Sequence, residues 1–343
     1  MSQIQILQSS RSFQSFVLLA LNLFRASCFG FRVLIGLLAV TTSIFSTEPT
    51  QHYIDAKTPQ GLMDLLKYTG EPLPLVSGHR GGAAVGFPEN CIPTFEHTLA
   101  NTFAMLEIDP RYTKDGTIVV HHDPTLERTT TGKGKVTDFT LAELKQLRLK
   151  DLKGNATDYQ IPTLDELLDW ARGKAILVLD AKDVPPLTRL KKIEDHKAES
   201  YAMLIVSNFK DVKACYDQNP NVMMEIFIAN LEKVAEFDKL GVPWKNVVPF
   251  VGHVVPEDPK LYEAIHARGA CCMIGTSRNL DKQVSGGQVA NIKELEPGYH
   301  AFLKRGADLI ETDIPAQLGP LLYRSVEPPT AKKQYFRTNS GAQ

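Results

Sequence analysis

The stretch that decides the fold is "AMLEIDPRYTKDGTIVVHHD", Ala104 to Asp123, where two short apolar runs flank a "TKDG" turn and carry Glu107, Asp109, His121 and His122 at their ends. Val, Ile and Leu runs of this length read as strands buried on both faces. If the runs near 105 and 119 belong to one unit joined through the turn, the rest of the chain has a simple repeat. Further strand-like runs are "LPLVSGH", "AILVLD", "AMLIVS", "MMEIFIA", "VVPFVG", "ACCMIG" and "ADLIETD". Segments of helical period lie between them, among them "PTFEHTLANT", "TLAELKQL", "TLDELLDWARG" and "PKLYEAIHARG". Thr140 and Thr163 stand where caps start helices, and Gly173, Gly269 and Gly306 stand where helices end. Strand alternating with helix predicts a parallel sheet covered by helices. Eight such units in roughly 250 residues predict a single TIM-type (β/α)8 barrel over residues 75–318. No GxGxxG follows the first strand, which weighs against a dinucleotide-binding sheet.

The chain has 343 residues, 43% of them hydrophobic, enough to bury a large core without disulfide or metal staples. Its 38 basic and 39 acidic residues leave a formal net charge of -1, so nucleic acid is not an expected partner. Residues 1–46 differ in kind, with Arg11, Arg25 and Arg32, no acidic residue, and the apolar runs "SFVLLALNLF" and "VLIGLLAV". A basic flank, a short apolar run and small residues describe an export signal. Each run is shorter than the ~20 residues of a spanning helix, and the two together would bury Arg25 and Arg32 in lipid. The expectation is a signal peptide, or a membrane anchor, and a periplasmic or extracellular protein. Residues 47–74 read as a lead-in and 319–343 as a tail. Cys91, Cys215, Cys271 and Cys272 have no metal-type spacing and read as free, buried thiols.

Polar residues gather at strand C-terminal ends, the face on which such barrels carry their chemistry: His79 and Arg80, Glu107 and Asp109, His122, Asp180 and Lys182, Asp313. Glu107 and Asp109 are two apart on a strand and lean to one side, where one would be protonated unless a cation lay between them. Oxygen ligands suit one hard divalent ion, Mg2+ or Ca2+, with Asp180 placed to give a third donor. His79 and His122 form a candidate acid/base pair. Strand alternation sends His121 and His122 to opposite sides, so that only one faces the centre. Arg80 and Lys182 supply the cations a phosphoryl group requires. "TTTGKGKVTD" lacks Walker spacing and reads as a surface loop; "TSRNLDKQVSGGQVAN" reads as a polar loop, a flap or an outward excursion.

Taken together, "GHRGG", "FPEN" and "LEIDPRYTKDGTIVVHHDPTLERTTTGKGKVTDFTLAEL" resemble the glycerophosphodiester phosphodiesterase family, with weaker echoes at "LDAKD" and "ETDIP". The resemblance implies a barrel in which Glu107 and Asp109 ligate one divalent metal. It implies His79 and His122 as acid and base, Arg80 on phosphate, and a third metal ligand from the strand of Asp180. The expected activity is hydrolysis of a small glycerophosphodiester to glycerol 3-phosphate and an alcohol through a cyclic phosphate. The family pattern has Glu then Lys where this chain has Asp180 and Lys182, and Thr or Ser where it has Cys91. The shorter Asp180 also resembles sphingomyelinase D and lysophospholipase D enzymes, so a lysolipid substrate is the alternative. A non-catalytic phosphodiester-binding barrel is a third reading. Glu89 and Asn90 are expected to brace the first loop.

Overall fold

The computed structural model describes residues 50–339 apart from Glu257 and Ser325. The basic, acid-free stretch read as an export segment lies outside the described residues. Eight parallel strands close into a barrel. They are β1 (Leu75–Gly78), β2 (Ala104–Ile108), β3 (Ile176–Leu179), β4 (Ala202–Val206), β5 (Met223–Phe227), β6 (Val247–Phe250), β7 (Met273–Gly275) and β8 (Leu309–Thr312). Each pairs with its neighbour in chain order, and β8 pairs with β1 through Glu311↔Ser77 and Thr312↔Gly78. The run near 119 is not a barrel strand. Ile118–Val120 folds back antiparallel on Pro110–Tyr112, as the shared "TKDG" turn requires.

Side-chain alternation explains both core and site. Leu75, Met105, Val178, Met203, Met223, Val248, Met273 and Leu309 fill the barrel interior as one cluster. Residues of the other parity, such as Val76, Leu106, Leu177, Leu204, Met224, Ile274 and Ile310, pack outward under the helices. Each large apolar side chain buried this fully contributes about 1.5–3 kcal/mol relative to exposure. The helices start where their caps dictate. Thr140 and Thr163 each complete a capping box, with Glu143 and Glu166 respectively, an arrangement that stabilises a helix by about 1 kcal/mol.

The segments on either side of the barrel meet. Gln51–Ile54 pairs antiparallel with Phe336–Asn339. Helix Pro59–Leu65, capped by Thr58, brings Leu62, Met63 and Leu65 into the interior cluster and so plugs the N-terminal end of the barrel. Lys332, fully buried, donates to the Lys67 carbonyl and ties residues of the tail to that plug. Cys91, Cys215, Cys271 and Cys272 are free and buried. Among the described residues no helix is long and apolar enough to cross a membrane.

Candidate active site

The parity that fills the barrel also builds the site. Two residues beyond the interior layer, the same faces carry Glu107, Asp180, Ile205, Glu225, Phe250 and Glu311, and these line a cleft of about 530 Å³. Segments that follow the strands add His79, Arg80, His122, Lys182, His253, Ser277, Arg278, Lys282 and Asp313 to its wall. The chain is shaped to deliver the first two of these. His79 to Gly81 form one turn of 3-10 helix in which Arg80 has φ 54°. Gly81 and Gly82 follow at φ 82° and 86°; a Cβ would meet the Phe95 ring at 2.2 Å from Gly81 and the Pro315 ring at 2.2 Å from Gly82. A non-glycine residue in the left-handed region is strained, and strain of this kind gathers at functional loops. Its result here is that the Arg80 backbone N–H donates to Glu107 Oε2 at 2.7 Å.

One oxygen from each of Glu107, Asp109 and Asp180 lies within 4.8 Å of the others. Glu107 Oε1 is buried without a hydrogen-bond partner. Burial, then the Asp109 and Asp180 charges, push the Glu107 carboxyl well above the usual carboxylate range. Asp109 accepts from Asn90 Nδ2 at 2.5 Å. Its Oδ1 lies 2.9 Å from Lys182 Nζ, which also pairs with Asp180; the Asp109 contact is an ion pair and not a hydrogen bond. Three acidic groups, an orphaned inward oxygen and no sulfur or nitrogen donor fit a hard divalent cation.

The two candidate imidazoles are anchored alike. His79 Nδ1 contacts Asp313 Oδ1 at 2.6 Å, and His122 Nδ1 contacts Asp123 Oδ1 at 2.7 Å. Burial alone would lower the pKa of His79, but the Asp313 hydrogen bond and the Glu311 charge reverse this, and it is raised. Asp123 is held well below the carboxylate range, first by its hydrogen bond from Arg128, against burial, and then by His122. Arg128 bridges outward, giving Asp123 bonds of 2.6 and 2.9 Å and Glu89 two of 2.8 Å. Glu89 also takes Arg80 NH1 at 3.2 Å, while Arg80 Nε is buried with no hydrogen-bond partner. His121 turns away; it is buried between Thr129 Oγ1, 2.8 Å, and the Asp123 carbonyl, 2.9 Å. The braces expected of Glu89 and Asn90 are thus an Arg fork and a carboxyamide on Asp109.

Sequence reading missed several groups here. Glu225 and Glu311 are buried; burial, then the Glu311 and Asp180 charges, raise the Glu225 carboxyl, and burial raises that of Glu311, with His79 opposing and Asp313 and Asp180 adding to the rise. Parity would have found them, since Met223 and Leu309 face inward and each Glu stands two residues on. The polar stretch after β7 is not loop throughout. It holds helix Leu280–Ser285, whose buried Asp281 takes the Tyr299 hydroxyl at 2.8 Å, the Thr312 hydroxyl at 2.9 Å and the Asp313 backbone N–H at 2.8 Å. That brace fixes Asp313, and the same stretch brings Arg278 and Lys282 to the cleft.

Comparison with known proteins agrees with this geometry. Residues 79–280 match the model of the glycerophosphoryl diester phosphodiesterase family. A glycerophosphodiester phosphodiesterase of Caldanaerobacter subterraneus subsp. tengcongensis is 41% identical over 105 residues, covering 30% of this chain and 43% of that protein. The chain spans less than half the length of the first curated relatives it matches, 45%, 43% and 42%. A glycerophosphoryl diester phosphodiesterase structure from Parabacteroides distasonis is 39% identical with TM-score 0.79, covering 84% of this chain and 100% of that one. A more distant barrel is an Oleispira antarctica phosphodiesterase solved with the product sn-glycerol-3-phosphate; it is 23% identical, TM-score 0.54, over 73% of this chain and 97% of that one.

Proposed function

The chain belongs to the glycerophosphoryl diester phosphodiesterase family, and on that premise we propose that it hydrolyses glycerophosphodiesters to glycerol 3-phosphate and an alcohol. The observation that carries this reading is the pairing of two imidazoles, each anchored through Nδ1 to a carboxylate, with a cluster of three carboxylates in one cleft. An Nδ1 held by Asp leaves Nε2 to exchange the proton. The raised pKa of His79 favours its protonated form and supports its acting as acid on the leaving alkoxide, with His122 as base on the glycerol 2-hydroxyl. That hydroxyl attacks phosphorus, the alcohol departs, and water opens the resulting cyclic phosphate while the two histidines exchange roles.

Glu107, Asp109 and Asp180 would hold one divalent cation, Mg2+ or Ca2+. When bound, such an ion supplies Lewis acidity that lowers the pKa of a hydroxyl and offsets phosphate charge. Lys182, paired with Asp109 and Asp180, and Arg80, whose Nε has no hydrogen-bond partner, are the residues we assign to the phosphate. Glu89 and Arg128 hold Arg80 and Asp123 in place rather than react.

Release of glycerol 3-phosphate from glycerophosphocholine, dependent on added Mg2+ or Ca2+ and lost in chelator, tests the reading; full turnover in chelator overturns the metal assignment. We further propose export, on the basic, acid-free character of residues 1–46. Recovery of the chain only in the cytosolic fraction contradicts it.

A further inference from the structure

At the N-terminal ends of the strands, opposite the catalytic cleft, a different set of donors gathers. His266 closes helix Lys260–His266, Cys272 stands immediately before β7 and Asp308 immediately before β8. One ligand atom of each lies within 4.8 Å of the others, a second such group beside Glu107, Asp109 and Asp180 among the described residues. Backbone and side chains both tie the three together. The Asp308 N–H donates to the Cys272 carbonyl at 2.9 Å, the Cys272 N–H donates to Asp308 Oδ2 at 2.7 Å, and His266 Nε2 contacts that same oxygen at 2.8 Å. Tyr68 stacks on the His266 ring, with 3.6 Å between centroids and 3° between planes, and so fixes its orientation.

A His–Asp ion pair accounts for part of this cluster and leaves the rest unexplained. Cys272 and Asp308 are fully buried, yet Asp308 Oδ1 has no hydrogen-bond partner, where a buried carboxylate oxygen normally has one. The Tyr262 hydroxyl, one helical turn before His266, is buried and also without a partner. Tyr262, His266 and Asp308 border one recess of about 540 Å³, which is roomy and polar enough for an ion and its water. Burial, then the Asp308 charge, push the Cys272 thiol well above its usual range, so a ligand for this sulfur must be able to displace its proton. A cation does so, and it satisfies the orphaned carboxylate oxygen as well.

We propose that His266, Cys272 and Asp308 form a second, structural metal site that takes Zn2+. The inference is independent of the proposed activity. One sulfur, one imidazole nitrogen and one carboxylate oxygen suit a borderline ion, whereas Mg2+ and Ca2+ take oxygen donors. On binding, the Cys272 sulfur bonds the ion and its proton passes to solvent, while water from the recess takes the fourth position. The ion ties one helix to two adjacent barrel strands, at the end of such a barrel that serves stability and not chemistry.

Co2+ reports on such a site, because a thiolate ligand adds a near-ultraviolet charge-transfer band that oxygen ligands do not. The full chain, produced in cells supplied with Co2+ and dialysed against excess Mg2+ to clear the oxygen cluster, should retain cobalt and show that band, and added Zn2+ should bleach it. Cys272→Ser should lose the band. His266→Gln, at the less buried edge of the cluster, should lower the retained cobalt, and Glu107→Gln should alter neither readout. If Cys272→Ser fails to fold, His266→Gln decides in its place. A parent protein that keeps no cobalt or lacks the band overturns the site. So does a band that survives Cys272→Ser, or retained cobalt that is unchanged in His266→Gln.

Discussion

His79 Nδ1 and Asp313 Oδ1 stand 2.6 Å apart, and this contact, made across 234 residues of sequence, joins the first barrel strand to the last. Asp313 is itself held by the buried Asp281 through its backbone N–H. The imidazole that follows β1 is therefore oriented from the far end of the chain, and its proton affinity is set there too.

Asp313→Asn weakens the largest of the interactions that together offset burial at His79. The folded-state pKa of His79 is raised, so the stability this group adds is full below the unfolded value of about 6.5 and is lost as pH rises through the folded value. If His79 is the first acid, kcat/KM falls on the alkaline side through that raised value. In Asp313→Asn the alkaline limb moves to lower pH, because burial and the Arg80 charge are then opposed mainly by Glu311. A pH profile of kcat/KM in parent and variant checks this; an unmoved limb assigns it to another group.

Glu107→Gln tests the cation site without turnover. Glu107 binds its proton more tightly folded than unfolded, so metal-free stability falls as pH rises from the unfolded value of about 4.3 towards the raised folded one. A bound divalent cation reverses that loss. Thermal unfolding in chelator at neutral pH should therefore find Glu107→Gln at least as stable as the parent, with added Mg2+ or Ca2+ raising the midpoint of the parent alone. An equal metal-induced rise in the variant contradicts the assignment.

Arg128→Ala takes the fork from Glu89 and Asp123 together. Glu89 is 7% exposed and would keep only the longer contacts with Arg80, 3.2 and 3.4 Å. Loss of a buried carboxylate's main partner costs about 1–3 kcal/mol, read as a lower urea midpoint. Because Asp123 orients His122, kcat should fall as well. Arg128→Lys, which lacks the planar fork, should rescue neither fully.

The four cysteines among the described residues should be inert. Burial pushes Cys215 up to about 11 and raises Cys91, Cys271 and Cys272 as well. A thiol reagent at mildly alkaline pH should leave all four unlabelled until denaturant is added, as peptide mass mapping would report; rapid native labelling of any one of them refutes its burial.

The barrel and the cluster of three carboxylates were legible because both rest on local pattern. Short apolar strands separated by capped helices specify the sheet, and the Glu107–Asp109 spacing fixes a shared face whatever the rest of the chain does. Glu225 and Glu311 were overlooked because a single Glu in a strand run carries no spacing of its own, and its direction emerges only once the inward parity of Met223 and Leu309 is known. The pairing of Gln51–Ile54 with Phe336–Asn339 joins segments that flank the barrel in the sequence, and no local signal encodes such a partner. Helix Pro186–Asp195 was hidden by its Pro-Pro start, and helix Leu280–Ser285 by the Gly and Ser around it. His122 and not His121 borders the cleft, as period-two alternation allowed but did not decide.

The central claim is that His79 and His122 work as a pair beside one divalent cation. Its most direct test is glycerol 3-phosphate release from glycerophosphocholine by the full chain with saturating Mg2+ or Ca2+, in the parent, His79→Ala and His122→Ala. Each variant should turn over about 10²–10⁴-fold more slowly, the usual contribution of a general acid or base. Near-parental turnover in both would contradict it.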